Sequence, residues 1–302
     1  MSWFWFSIIA LLCWSGSDFF SKIGCRDSFD KYSQFKMVMA VGVVMGLHAA
    51  YEVFIGGVEI SWSVIWIYLP VSLLYIGSMT LGYVGLRYIE LSISSPICNA
   101  SGALVAIIAI VSGTAEVMAA PQYLAIVLAC AGVIGLGFVE ANEDEALRAA
   151  RQEASNYKYA KSWLALALPI AYCMLDAAGT FADDLVLETL NEDSANVAYE
   201  LTFLVAGIVC FLYTCVYKKQ KLVAKLEVPK YIGACFETAG QLAYIYALAS
   251  GESALAAPII ASYCMVSVLW SRIFLKEKLS WKHYACIAVT FAGILIMGVY
   301  DM

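Results

Sequence analysis

The sequence predicts an all-α integral membrane protein, with ten transmembrane helices arranged as two inverted five-helix repeats. Three observations predict it. First, 62% of the 302 residues are hydrophobic and 14% charged, with a mean hydropathy of +0.78; soluble domains carry about 45–50% and about 25%. Second, apolar windows recur along the chain, each near the ~20 residues that a bilayer requires. Third, basic residues are sorted between alternate connections. This composition excludes a soluble globular enzyme, and low charge with many aromatics excludes a disordered chain.

The windows fall at 3–22, 34–55, 63–86, 92–113, 121–139, 162–182, 195–217, 230–249, 254–275 and 281–300. The first opens on Trp3 and Trp5 with no Lys or Arg before it, so it lacks the basic region of a cleaved signal peptide. The second carries GVVMG (Gly42 to Gly46), small residues suited to packing inside the bundle or to a dimer face, so monomer and homodimer both stay open. Trp62, Trp66, Trp163 and Trp281 mark the starts of later windows and, with Trp3 and Trp5, read as interfacial anchors. RYIELSISSP joins helices 3 and 4 tightly, as ASGESALAAP joins helices 8 and 9. One long polar connection, Val139 to Ser162, divides the chain into a first repeat at 1–139, a linker at 140–161 and a second repeat at 162–302.

All 18 Lys and Arg residues lie in odd-numbered connections or at the helix ends that meet them. The even connections carry only acids, such as Glu59, Glu116, Asp183, Asp184, Glu188 and Asp193. The positive-inside rule then makes the odd connections cytoplasmic and both termini extracytoplasmic, in a multi-pass protein of the cell membrane. A net charge of −6 offers no basic surface to nucleic acid. The ten cysteines include no CxxC pair and read as small buried hydrophobes. His48 and His283 lie in separate segments, so no histidine metal site is expected, and no cofactor either.

The two halves resemble each other. Leu86, Glu90 and Pro96 align with Leu248, Glu252 and Pro258 at a shift of 162, and AGVIGLG (Ala131 to Gly137) aligns with AGILIMG (Ala292 to Gly298) at 161. Glu116 meets Glu277, and at a shift of 158 Trp14 and Asp18 meet Tyr172 and Asp176. Five helices per unit is an odd number, so the second copy inserts upside down, a recurring plan of secondary transporters. Ser250 to Gly298, with Pro258, the LKEKLS turn and the AG of the last helix, resembles the second EamA-type repeat of the drug/metabolite transporter superfamily. The first half is similar but lacks a lysine in its SGTAEVMAAP turn. The resemblance implies a ten-helix transporter of the metabolite exporter branch, without naming cargo. Many relatives place their basic residues in the other loops; the charges of this chain give the opposite orientation.

An ionisable side chain at mid-membrane costs about 2.5–3.5 kcal/mol on insertion scales and so marks a site. Asp176 lies 15 residues after Lys161 and 7 before Asp183, too deep to snorkel. Glu237, Gln241 and Tyr244 share one helical stripe, suited to a cavity wall or an interhelical clasp. Asp18 either pairs with Lys22 at the interface or joins the pocket as the counterpart of Asp176. Trp14 and Tyr172 each stand one turn from an aspartate, where aromatic faces attract organic cations. Asn99 and Tyr263 are further wall candidates, and Glu200 reads as interfacial.

No Lys or Arg falls in the middle of any window. A carrier of phosphorylated solutes would place such residues in its pocket, so the expected substrate is a small organic cation or zwitterion. The reading is a secondary transporter in the lipid bilayer, an exporter with proton antiport in which Asp176 and Glu237 bind proton and substrate competitively. An uptake carrier for an organic cation or nucleobase is the nearest alternative. An aspartyl enzyme using Asp18 and Asp176 lacks the YD and GxGD pattern, and no GxxxxGK[ST] supports an ATPase.

Overall fold

The computed structural model describes residues 2–25, 30–88, 97–113, 118–142, 164–251, 253–274 and 279–301. The described residues form α-helices and no strand. In chain order they are α1 Trp3–Cys25, α2 Ser33–Tyr51, α3 Trp62–Tyr88, α4 Ser101–Ser112, α5 Ala120–Ala141, α6 Leu164–Leu187, α7 Glu192–Phe211, α8 Ala224–Ala249, α9 Ser253–Ala261, α10 Tyr263–Phe274 and α11 Trp281–Asp301. The linker expected at 140–161, the turns around Glu90, Pro96, Glu116, Glu252 and Glu277, and Trp163 lie wholly or mostly outside the described residues.

Local chemistry sets several boundaries. The Asn191 side chain accepts hydrogen bonds from the backbone N–H groups of Asp193 and Ser194, capping α7. Acidic Glu192 and Asp193 in its first turn complement the helix dipole. α2 and α7 both run on into π-helical turns, Glu52–Gly56 and Leu212–Tyr217. Gly57 (φ 76°) closes the first of these, and Gly113 (φ 74°) closes α4, in the left-handed conformation that glycine adopts without strain. α9 and α10 form one apolar run interrupted at Ser262. The Ser262 N–H turns to the Ile259 carbonyl at 3.1 Å, and Ser262 Oγ donates to the Pro258 carbonyl that this leaves free, at 2.7 Å. The helical run at 97–112 has a corresponding interruption, a turn at Ala100.

Among the described residues, seven helical runs are long and apolar enough to cross a membrane, α9 and α10 counting as one. α4 falls short on length, and α6 and α8 on polarity, since they carry the acids at 176, 183, 184, 227 and 237. Large apolar side chains such as Leu47, Phe54 and Val111 point outward. α1 packs along α8, α3 along α6, α2 along α7, α4 along α9, and α5 along α11.

Close approach of α2 and α7 rests on glycine. A Cβ on Gly42 would lie 2.7 Å from the Phe203 carbonyl oxygen and 2.9 Å from Gly207 Cα, both backbone atoms. Gly46 faces Leu204 in the same seam, so the GVVMG segment packs within the bundle. Gly42→Ala is expected to push the helices apart at a cost of about 1–3 kcal/mol, seen as a lowered unfolding midpoint in detergent. An unchanged midpoint would contradict this packing.

Several expectations are corrected. α6 runs five residues past the expected end at 182, so Asp183 is buried within the helix and not in a connection. α7 starts three residues earlier than expected, so Glu200 lies in its third turn, where it is fully buried. Trp3 is buried against Gly251, whereas Trp5, Trp62, Trp66 and Trp281 are exposed as anchors should be. Only Cys25, Cys98, Cys173 and Cys264 are buried; Cys235 is exposed, because an outward position in an apolar surface asks no protein burial of a thiol.

Near the Cys25 end of α1 and the start of α8, four charged side chains are buried together. Lys36 lies 2.9 Å from Asp30 and 3.2 Å from Glu227; Lys230 lies 3.0 Å from Asp30 and 3.2 Å from Glu227.

Candidate functional site

The polar faces of seven helical runs converge on a cavity of about 120 Å³. α1 contributes Trp14 and Asp18, one turn apart, with Ser17 between them. α6 contributes Tyr172, Asp176 and Thr180 at successive turns. α8 contributes Glu237, Gln241 and Tyr244, the stripe visible in the sequence. Asn99 and Ser101 flank the turn at Ala100, and Ala261 and Tyr263 flank the break at Ser262. All nine residues singled out from the sequence therefore line one cavity. Asp18 sits in its wall.

Sequence reasoning missed the tyrosines of the other wall. Tyr75, Met79 and Tyr83 of α3 and Tyr199 of α7 complete the lining. A signal was present: Tyr68, Ser72, Tyr75, Met79 and Tyr83 repeat at helical spacing along one face of α3. The rings form a continuous belt. Trp14 lies 5.1 Å from Tyr244 and 6.1 Å from Tyr263 between centroids, and Tyr75 lies 6.0 Å from both Tyr244 and Tyr199.

Towards the Leu187 end of α6 the cavity is closed by hydrogen bonds. Tyr68 donates to Asp183 Oδ1 at 2.7 Å, and the Tyr75 hydroxyl lies 3.4 Å from Asp183 Oδ2 and 3.2 Å from Thr180 Oγ1. The Tyr75 and Tyr244 hydroxyls are also hydrogen-bonded to each other, so α3, α6 and α8 are tied at this level.

Within the cavity the polar groups are less well paired. Trp14 Nε1, Asp18 Oδ2, Tyr83 OH and Gln241 Nε2 are buried with no hydrogen-bond partner among the described residues. A buried polar atom left unpaired costs about 1–3 kcal/mol, so four at one cavity suit a site that water or a solute completes. Among the described residues three carboxyl groups line it and no Lys or Arg does. Its volume approaches the ~150 Å³ of a cavity that admits benzene, which fits a solute of a few heavy atoms in this conformation. The carboxyl groups and the aromatic belt together suit an ammonium group: charge attraction from one, cation–π attraction from the other. Among the described residues no cluster of His, Cys, Asp and Glu is arranged to hold a metal ion.

No curated protein matches the chain. Solved structures are similar in fold, among them a crystal structure with a TM-score of 0.69 over 99% of this chain and 97% of the other at 10% sequence identity. At that identity the likeness concerns the fold alone. The family model that matches, over residues 164–299, is that of EamA-like transporters. With its apolar helices it makes the chain a multi-pass membrane protein whose second half is similar to EamA-like transporters, which points to a membrane transporter of the drug/metabolite kind with a small-molecule substrate.

Proposed function

We propose that the chain is a secondary active transporter that exports a small organic cation or zwitterion, an amino acid or similar metabolite, in exchange for protons. The observation that carries this reading is the cavity itself, with three carboxyl groups, an aromatic belt and, among the described residues, no basic side chain. Asp176 and Glu237 take either a proton or the ammonium group of the substrate. Asp18, Gln241 and Asn99 orient it, and Trp14, Tyr172, Tyr244 and Tyr263 face its charge. Both termini are extracytoplasmic in this reading, because every basic residue lies on the opposite side.

Alternating access of two inverted repeats, 1–139 and 162–302, moves the solute. The packing supports it: exchanging the halves turns the α1–α8 pair into α6–α3 and returns α2–α7, α4–α9 and α5–α11 to themselves. The interruptions at Ala100 and Ser262 lie 162 positions apart, the shift that aligns Pro96 with Pro258.

The test is a thermal-shift screen of detergent-purified protein against amino acids, choline, polyamines, nucleobases and organic phosphates. A ligand at 100 times its Kd adds about 2.7 kcal/mol. Stabilisation by cations or zwitterions, lost in Asp176→Asn and Glu237→Gln, is the expected result. Stabilisation by organic phosphates alone overturns it.

A further inference from the structure

One ionisable pair, half-buried His48 and fully buried Glu200, plays no part in the cavity. His48 of α2 places Nδ1 2.8 and 3.0 Å from the two carboxyl oxygens of Glu200 on α7. Glu200 is fully buried about 12 Å along α7 from its start, at 1.5 Å per residue. On the other side of the imidazole, Nε2 lies 3.6 Å from the carboxylate of Glu52, whose side chain is 25% exposed. Asn196, one turn before Glu200, donates Nδ2 to Glu200 Oε1 at 3.1 Å. Its own Oδ1 is buried with no hydrogen-bond partner among the described residues.

That unused acceptor separates the cluster from a fixed clasp. A carboxylate asks its surroundings for donors, and a carboxylic acid asks for an acceptor as well. Asn196 supplies either by turning its amide over, NH₂ to the carboxylate or carbonyl to the acid. His48 has the same duality, donating from a protonated Nδ1 or accepting from a protonated Glu200. Glu52 is placed between the pair and the exposed end of α2. Loading a proton therefore leaves each buried member with a partner.

Little else that is ionisable competes for that proton. On α7 itself the other acids are Glu192 and Asp193, at the first turn, and Asp193 is taken by the hydroxyl of Tyr246 from α8. The other charge of α2 is Lys36, at the far end, and α3 carries only Arg87, also at its far end. α8 carries Lys225, Glu227, Lys230 and Glu237, all in its first fourteen residues, and α1 carries Asp18 and Lys22 in its second half. Glu227 and Lys230 lie with Asp30 at the Lys36 end of α2, and Asp18 and Glu237 line the cavity.

We propose that His48 and Glu200 form a proton-binding site, reached by way of Glu52 and separate from the cavity, whose occupancy sets the packing of α2 against α7. The seam it controls is the one in which Gly42 meets Phe203 and Gly207. The link to the cavity is short, because Tyr199, the neighbour of Glu200, lines it. Only the use made of this proton, as a drive for transport, rests on the reading of the chain as a proton-coupled carrier.

The test uses purified full-length protein with protons as the ligand. The chain has two histidines, so exchange of the imidazole C2 hydrogen, followed by mass spectrometry against pH, resolves His48 from His283. His48 should exchange protons with pH, and its midpoint should move by about one pH unit or more in Glu200→Gln. Backbone amide exchange in α2 and α7 supplies the readout that a purely structural pair would not move. After correction for intrinsic rates it should change about tenfold across that titration in the wild type, the linked counterpart of a one-unit shift. In Glu200→Gln and in Asn196→Ala the change should disappear.

A histidine curve indifferent to Glu200→Gln overturns the proposal. So does amide exchange in α2 and α7 that responds to pH equally in wild type and variants. If Glu200→Gln does not fold, Asn196→Ala alone decides by the same two curves. Failure of cations to bind the cavity would defeat the transporter reading and leave these titrations unaffected.

Discussion

Lys230→Met is expected to lower the stability of the protein by about 3–5 kcal/mol, the cost of stripping one partner from a buried ion pair. Lys230 is completely buried, and Lys36, Asp30 and Glu227 are less than one-tenth exposed. Two cations and two anions balance, and each lysine lies within 3.2 Å of both acids. Lys36 also donates to the Lys221 carbonyl at 3.0 Å, and Lys230 to that of Leu226 at 2.8 Å. Removing Lys230 leaves one uncompensated negative charge in a place water does not reach. Pairing Lys230→Met with Glu227→Gln restores neutrality and should recover most of the loss. Unfolding of the single and double variants by denaturant measures both; a single variant within about 1 kcal/mol of wild type, inside the spread of ordinary surface changes, would show that the charges do not hold this corner together.

The same cluster has a pH signature. Burial opposes ionisation of Asp30, but hydrogen bonds from Lys36 and Lys230, with their charges, outweigh it and hold its carboxyl below the usual range. A carboxyl lowered on folding stabilises fully above its unfolded value of about 3.9 and ceases to do so as pH falls through the folded value. Stability should therefore be insensitive to Asp30 near neutrality and fall away below about pH 4. Asp30→Asn should flatten that acid limb.

The second large effect is expected at Asp183. Asp183→Leu leaves the Tyr68 hydroxyl without its acceptor, at about 1–3 kcal/mol for a buried donor, and takes from the Tyr75 hydroxyl one of its three partners. Asp183→Asn keeps an acceptor oxygen for Tyr68 and should cost less. Thermal unfolding of the two variants side by side distinguishes them, and equal losses would mean that the phenols find other partners. Because Tyr75 also joins Tyr244, the leucine variant loosens the tie between α3, α6 and α8 at one end of the cavity.

Helix positions were legible because a bilayer dictates length: the expected windows and the observed helices differ by a few residues at most of the described ends. Where they differ by more, capping and tertiary partners decide and hydropathy does not. Asn191 starts α7 three residues early, which puts Glu200 in the third turn of the helix, among its buried residues. The polar residues of α6 near Asp183 continue the helix because Tyr68 and Tyr75 satisfy that carboxyl. Asp176, Glu237 and Asp18 stood out as charges inside apolar windows. Tyr75, Tyr83 and Tyr199 did not, because tyrosine is at home at interfaces, in cores and in cavities alike, among 19 in the chain. The burial of Lys230 depends on Asp30, 200 residues away, a pairing no local pattern records.

The interruptions at Ala100 and Ser262 have a mechanical consequence. An unbroken helix behaves as a stiff rod, carrying a tilt imposed at one end through to the other. A run cut midway by a turn bends there first, since hydrogen bonds that would resist the bend are missing or already diverted, as with Ser262 Oγ on the Pro258 carbonyl. Both hinges border the cavity, and α4 and α9 pack against each other, with Gly102 against Ala257 and Ala261. The pair is thus a compliant joint at the level of the cavity, set among stiffer neighbours. A small lateral push on Asn99 or Tyr263 is magnified into a swing of the attached helix arms.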